Sequence, residues 1–92
     1  MRLTKAEVVI TFFALNRDKD GKQRTFPFSD LGIVAELSKK FEACTKDGNV
    51  TDDIHEIDLT SEERVKIKAH IEEQNWPPGD ACHVLSLVEK LK

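Results

Sequence analysis

Residues 16–21, NRDKDG, carry spaced oxygen-bearing side chains of the kind that could bind a calcium ion. A calcium loop between two helices needs oxygen ligands at positions 1, 3 and 5, Gly at position 6 and a bidentate Glu at position 12. The first four of these positions hold Asn16, Asp18, Asp20 and Gly21. Position 12 is Pro27, which has no ligand oxygen on its side chain. The segment is therefore interpreted as a turn in which Asp20-Gly21 reverses the chain.

The other residues with metal-binding or nucleophilic chemistry are two cysteines and three histidines. They are Cys44, Cys82, His55, His70 and His83. None has a paired spacing such as C-x-x-C or H-x-x-x-H, which a zinc site would use. The sequence also has no Gly-rich phosphate loop and no dinucleotide fingerprint. It therefore predicts no enzyme, no metal and no cofactor, and unpaired cysteines favour a reducing, cytoplasmic setting.

Acidic side chains are concentrated in residues 47–63, which hold seven carboxylates and no Lys or Arg. The net charge of −3 hides this asymmetry, because residues 1–46 carry nine basic and six acidic side chains. An acidic segment repels nucleic acid and attracts a basic protein surface. The candidate partner contacts in this segment are Asp47, Asp52, Asp53, Glu56 and Asp58.

Trp76 is the sixth candidate partner contact, and it stands directly before two prolines. It either packs in the core over Ile71 and Leu85 or remains partly exposed and anchors a partner. The second reading is considered because Trp is enriched among the residues that dominate binding energy.

The length of 92 residues predicts a single domain over residues 1–92. Its longest apolar run, residues 8–15, is far shorter than the ~20 residues that a membrane span needs. No membrane association is expected.

The N-terminal segment carries two conflicting signals. Thr4 and Glu7 have the spacing of a helix capping box. The run VVITFF that follows consists of six strand-favouring residues. A turn centred on Asp20-Gly21 would pair Leu15 with Phe26 and Phe13 with Phe28 on one face of a ribbon. This register favours a β-hairpin over residues 8–28, whereas the alternative is an all-α domain of four helices.

Three helices are predicted after the hairpin, near residues 29–45, 60–75 and 78–91, with a loop over residues 45–53. Thr60 and Glu63 form a capping box at the start of the second of them. Pro77 ends that helix. No internal repeat is evident. The expected fold is thus an α+β domain in which an N-terminal β-hairpin packs on three helices.

The C-terminal segment EIDLTSEERVKIKAHIEEQNWPPGDACHVLSLVEKL, residues 56–91, resembles small proteins of tailed bacteriophages and prophages. The resemblance rests on the capped helix opening DLTSEE, the Ile67-Lys68 pair, the Trp76-Pro77 junction and a short apolar helix containing Glu89. It implies a phage origin and a role in the host cytoplasm or during virion assembly. It supplies no catalytic residue.

The predicted function is stoichiometric protein–protein binding by a phage-encoded accessory or assembly protein. One alternative is an inhibitor whose acidic segment 47–63 imitates nucleic acid and occupies a basic groove of a host defence or transcription enzyme. Another is a small DNA-binding regulator that uses basic residues of the expected hairpin tip: Arg17, Lys19, Lys22 and Arg24.

Overall fold

The structure is a computed structural model that describes residues 1–92. Its four helices are α1 (Lys5–Asn16), α2 (Leu31–Glu42), α3 (Ser61–Glu72) and α4 (Ala81–Leu91). Its strands are β1 (Arg2–Leu3), β2 (Thr45–Lys46), β3 (Asn49–Val50) and β4 (His55–Glu56). β1 pairs with β4 and β2 pairs with β3, both antiparallel. The α+β class is confirmed, and so are the three helices predicted after the first 28 residues.

The β-hairpin predicted over residues 8–28 was wrong in its first strand, because residues 8–16 lie in α1. The capping box that argued for a helix is present: Thr4 Oγ1 accepts from the Glu7 backbone N–H at 3.3 Å. Glu7 Oε1 in return accepts from the Thr4 N–H at 2.9 Å. The strand preference of VVITFF depends on packing, and here the run packs as a helix that buries Val8 and Ile10.

The predicted reversal at Asp20-Gly21 is present, although its register differs from the expected one. Gly21 has a φ of 77°, and a single antiparallel bridge joins Arg17 to Gln23. The Asp18 carboxylate accepts from the backbone N–H groups of Asp20 and Lys22, at 2.9 and 3.0 Å. These two hydrogen bonds, that of Lys22 first, hold the pKa of Asp18 below its ordinary value. Asp18 thus performs the turn chemistry expected of this segment.

A tight hairpin lies instead at residues 45–50, which were predicted to be part of a loop. Asp47 and Gly48 both have positive φ, 55° and 81°. Consecutive residues in this region are the mark of the hairpin turn whose twist matches that of its strands, and Asp-Gly is a preferred sequence for it. The chain therefore contains two Asp-Gly reversals, and the second one connects β2 to β3.

One core of fifteen buried apolar residues joins the four helices. Its largest fully buried side chain is Phe41 of α2, which meets Phe12 of α1 edge to face at 6.1 Å. Leu85, which was expected in the core beneath Trp76, is 70% exposed. The inward face of α4 instead includes Leu87. Trp76 therefore does not cover Leu85 in the core.

The chain also contains an internal repeat, contrary to the expectation from sequence. Residues 1–42 and 57–91 have the same order of parts: a Thr-capped helix, a 3₁₀ turn after proline, and a second helix. The 3₁₀ turns are Phe28–Asp30 and Pro78–Asp80. The matching sequence positions are Leu3-Thr4-x-x-Glu7 with Leu59-Thr60-x-x-Glu63, and Pro27-x-x-Asp30 with Pro77-x-x-Asp80.

The backbone dihedral angles support this correspondence. Thr4 and Thr60 have φ, ψ of −78°, 166° and −71°, 164°. Asp30 and Asp80, at the ends of the two 3₁₀ turns, have −93°, −10° and −97°, −6°. We call residues 1–42 the first half and residues 57–91 the second half.

Each half donates one lysine side chain to a buried glutamate of the other half. Lys90 of the second half donates to Glu7 Oε1 of the first, and Lys40 of the first donates to Glu63 Oε1 of the second, both at 2.7 Å. Both glutamates are at most 3% exposed. Reciprocal contacts of this kind are the signature of two-fold related units.

Each glutamate is held as a carboxylate. Burial alone would raise the pKa of Glu7, but hydrogen bonds from Lys90, the Thr4 N–H and Ser86 outweigh it and lower that pKa. Burial alone would also raise the pKa of Glu63, but hydrogen bonds from Lys40 and the Thr60 N–H outweigh it and lower that pKa.

We expect Glu7→Gln to lower the free energy of unfolding by about 2–3 kcal/mol, because it leaves the Lys90 ammonium without a counter-charge. Glu63→Gln should cost less, since Glu63 has no partner equivalent to the Ser86 hydroxyl. Urea denaturation at neutral pH measures both values. A larger loss for Glu63→Gln than for Glu7→Gln would contradict this account.

The same pKa shifts predict a loss of stability in acid. A carboxyl group whose pKa is lowered by folding stabilises the fold above its ordinary pKa of 4.5, and this contribution disappears as the pH falls through the lower folded value. The melting temperature of the wild type should therefore fall steeply below about pH 4.5. The double variant Glu7→Gln/Glu63→Gln should show a flatter profile there. Parallel profiles would show that other carboxylates dominate.

Candidate functional site

A groove of about 490 Å³ lies between α1 and the segment that joins α3 to α4. We call it the α1–Trp76 groove. Its lining includes Val9, Ile10, Phe13, Trp76, Pro77 and Asp80. Val9 and Phe13 are one helical turn apart on α1, and each is 46% exposed. The wall formed by α1 is therefore apolar and open to solvent.

Trp76 is fixed in this groove by two contacts. Its indole Nε1–H donates to the Ile71 carbonyl at 3.0 Å, which satisfies a backbone oxygen at the end of α3. Its ring packs on Phe13 with centroids 5.6 Å apart and planes inclined by 59°. Trp76 is half-buried and is packed against the edge of the core. Trp76 thus contacts Ile71, as the core interpretation expected, and it also lines a groove that is open to solvent. Its role as a partner anchor stays a prediction.

The acidic segment approaches this groove at the N-terminal end of α1. Asp52 Oδ1 lies 3.0 Å from Lys5 Nζ, and Lys5 also lines the α1–Trp76 groove. Lys5 therefore pairs with one candidate partner contact, Asp52, and lines the same groove as another, Trp76.

The other four predicted contacts do not line the α1–Trp76 groove. Glu56 accepts from the N-terminal ammonium of Met1 at 3.2 Å. Asp53 and Asp58 are exposed. Asp47 lies in the β2–β3 turn, beside a second, more polar groove of about 720 Å³ that shares Val9 with the first.

Sequence reasoning missed Val9, Ile10, Phe13 and Asp80 as groove residues. In a helix over residues 5–16, Val9 and Phe13 are four positions apart and lie on a different face from the buried Val8. This pattern would indicate a second apolar face. The wrong strand assignment concealed this face by placing Phe13 opposite Phe28. In the structure Phe28 is 89% exposed and lies outside the groove.

One of the four basic residues proposed for DNA contact, Arg24, is engaged in contacts within the protein. The Arg24 guanidinium donates to the Ala14 and Arg17 carbonyls at 3.0 and 2.9 Å and also pairs with Glu73. Its side chain is only 9% exposed. Arg24 therefore caps carbonyl groups at the C-terminal end of α1 and links this end to the end of α3. The other three proposed DNA contacts, Arg17, Lys19 and Lys22, do not have this structural role.

Arg24→Ala should lower the free energy of unfolding by about 1–3 kcal/mol, because two carbonyl oxygens and the Glu73 carboxylate lose a charged donor. Lys19→Ala is the matched control on the same reversal, and it should change stability by less than about 0.5 kcal/mol. Urea denaturation of the two variants measures the difference. Equal effects would contradict a structural role for Arg24.

The remaining cysteine and histidine side chains are dispersed. No group of three or more His, Cys, Asp or Glu side chains is arranged to hold a metal ion. Burial raises the pKa of the Cys44 thiol, which disfavours the thiolate form. Burial, together with the nearby Arg24, lowers the pKa of His70. His70 packs edge to face on Phe26.

Comparison of the chain with protein-family models, curated proteins and solved structures finds no match. None of the four helices combines the length and the apolar character needed to cross a membrane. The α1–Trp76 groove is therefore interpreted from its own geometry.

Proposed function

We propose that this chain acts by stoichiometric binding of a protein partner, which it contacts through the α1–Trp76 groove. The observation that supports this proposal is the exposed pair Val9 and Phe13, held against Trp76. Apolar and aromatic side chains surrounded by charged groups are typical of the centre and rim of a protein interface. Here the charged rim is provided by the Lys5–Asp52 pair and by Asp80.

The resemblance of residues 56–91 to small tailed-phage proteins supports a phage-encoded accessory or assembly role. Its partner would then be a phage or host protein. We propose no catalytic step, since none of the side chains in the groove forms a nucleophile–base pair.

The proposed binding is tested with two matched variants, Phe13→Gln in the groove and Phe28→Gln outside it. Both remove an exposed phenyl ring and leave the charge unchanged. Proteins captured from a bacterial lysate by the immobilised wild type should be retained by Phe28→Gln and reduced at least tenfold by Phe13→Gln, as expected for a central aromatic contact. Quantitative mass spectrometry measures the recovery, and calorimetry with the purified partner then gives the stoichiometry. Equal capture by all three proteins would contradict the proposal.

The nucleic-acid mimic stays a second prediction, and the structure favours it less. Glu63 is buried against Lys40, and Asp52 and Glu56 each lie beside a cation. Salt separates the two hypotheses. Binding through an apolar groove should persist at about 0.5 M salt, whereas a charge mimic should lose its partner there. Reversal of Asp52, Asp53 and Glu56 to Lys should abolish binding only for the mimic.

A further inference from the structure

The α1–Trp76 groove has a counterpart in the other half of the chain. A groove of about 480 Å³ lies between α3 and the 3₁₀ turn Phe28–Asp30, and we call it the α3 groove. Val65 and Asp30 line the α3 groove at the positions that Val9 and Asp80 occupy in the α1–Trp76 groove. The repeat therefore duplicates a groove with a carboxylate at one end and an apolar helix face along its side.

One difference between the two grooves lies on the helix, at the residue that follows the shared valine. Lys66 lies in the α3 groove, and its Nζ is 2.6 Å from Asp30 Oδ2. These side chains are 23% and 32% exposed, so the ammonium and its carboxylate are largely shielded from solvent. The α1–Trp76 groove has Ile10 in the place of Lys66, and it therefore lacks an ammonium at this position.

The Asp80 carboxylate is left without the partner that Asp30 has. No Lys, Arg or His nitrogen lies within 4.0 Å of it, and Lys5, which lines the same groove, pairs with Asp52 instead. Asp80 stands at the N-cap position of α4, but its side chain makes no capping hydrogen bond. Capping of the helix therefore does not account for this carboxylate.

The aromatic walls of the α1–Trp76 groove also favour a cation. Phe13 stands where the α3 groove has Ala69, so the groove presents two aromatic rings near a carboxylate. Ring faces attract ammonium groups, and the attraction is stronger where water is excluded. The indole N–H of Trp76 is already bonded to the Ile71 carbonyl, so it is not free to bind an anion.

We infer that the α1–Trp76 groove binds a lysine side chain of the protein partner, which supplies the ammonium that Lys66 supplies in the α3 groove. The ammonium lies at Asp80, and the methylene groups of the lysine lie along Val9 and Ile10, beside the packed rings of Phe13 and Trp76. The identity of the occupant as a partner side chain rests on the proposed function, whereas the preference of the groove for a primary ammonium does not.

The preference is tested with n-pentylammonium as the probe and 1-pentanol as its neutral match. NMR titration of the ¹⁵N-labelled protein should show saturable shifts at the Val9 and Phe13 amides and at the Trp76 indole. The ammonium should bind at least tenfold more tightly than the alcohol. Equal affinities, or shifts confined to the acidic segment, would overturn the inference.

Two matched variants assign the effect to one carboxylate. Asp80→Asn should abolish the preference for the ammonium, and the fold should persist because the Asp80 side chain has no hydrogen bond or ion pair to lose. Asp30→Asn, the equivalent change in the other half, should leave the preference intact. The inference is overturned if both variants retain it or if Asp30→Asn alone removes it.

The repeat also permits a gain of function. Lys66→Ile removes the ammonium that occupies the α3 groove, so a second set of saturable shifts should appear at Val65 with n-pentylammonium. This second site should be weaker, because Ala69 stands in place of an aromatic ring. The absence of any shift at Val65 would contradict the correspondence between the two grooves.

These results separate the inference from the proposed function. If Phe13→Gln loses the captured partner but the groove does not distinguish pentylammonium from pentanol, the inference fails and the proposed function stands. If the groove prefers the ammonium but the captured proteins are unaffected by Phe13→Gln, the proposed function fails. A dimer in sedimentation that n-pentylammonium dissociates would overturn the assignment of the lysine to a foreign partner.

Discussion

The exchange of buried lysine–glutamate contacts between the two halves is the constraint on which the rest of the structure depends. Glu7 and Glu63 each complete the capping box of their own helix and also accept a lysine from the other half. A carboxylate buried to this degree must be paired and hydrogen-bonded, because an isolated charge would be costly to bury. The two contacts therefore fix the starts of α1 and α3 against the ends of α4 and α2, and the open face of α1 follows from that placement.

Local signals predicted the second part of the chain well. The Thr60–Glu63 capping box and the Trp76-Pro77 junction define the bounds of α3, and the apolar spacing in residues 29–45 defines α2. The N-terminal helix was missed because Thr4 and Glu7 were outweighed by a strand-favouring run, although the same motif had been accepted at Thr60 and Glu63. The preference of a β-branched run for strands depends on its neighbours, and here the neighbours are helices.

The candidate site could be predicted only in part, for physical reasons. Trp76 stands out in sequence because of its rarity and its position before two prolines. Asp80 does not, because an aspartate before a helix usually serves as a cap, and only the structure shows that this one makes no capping bond. The repeat was hidden because equivalent residues lie 56 positions apart in the capped helices and 50 apart in the second helices. A search at one fixed spacing cannot align both.

The presence of both halves in one chain has a consequence for how the two grooves can diverge. In an assembly of two identical subunits, any substitution appears in both symmetry-related sites, so neither can be filled without filling the other. Here a single polypeptide carries both copies, and each can mutate independently. In one copy Lys66 fills the groove and pairs with Asp30, whereas the other copy has Ile10 at the equivalent position. Covalent linkage thus allows a symmetric architecture to present a single asymmetric binding face.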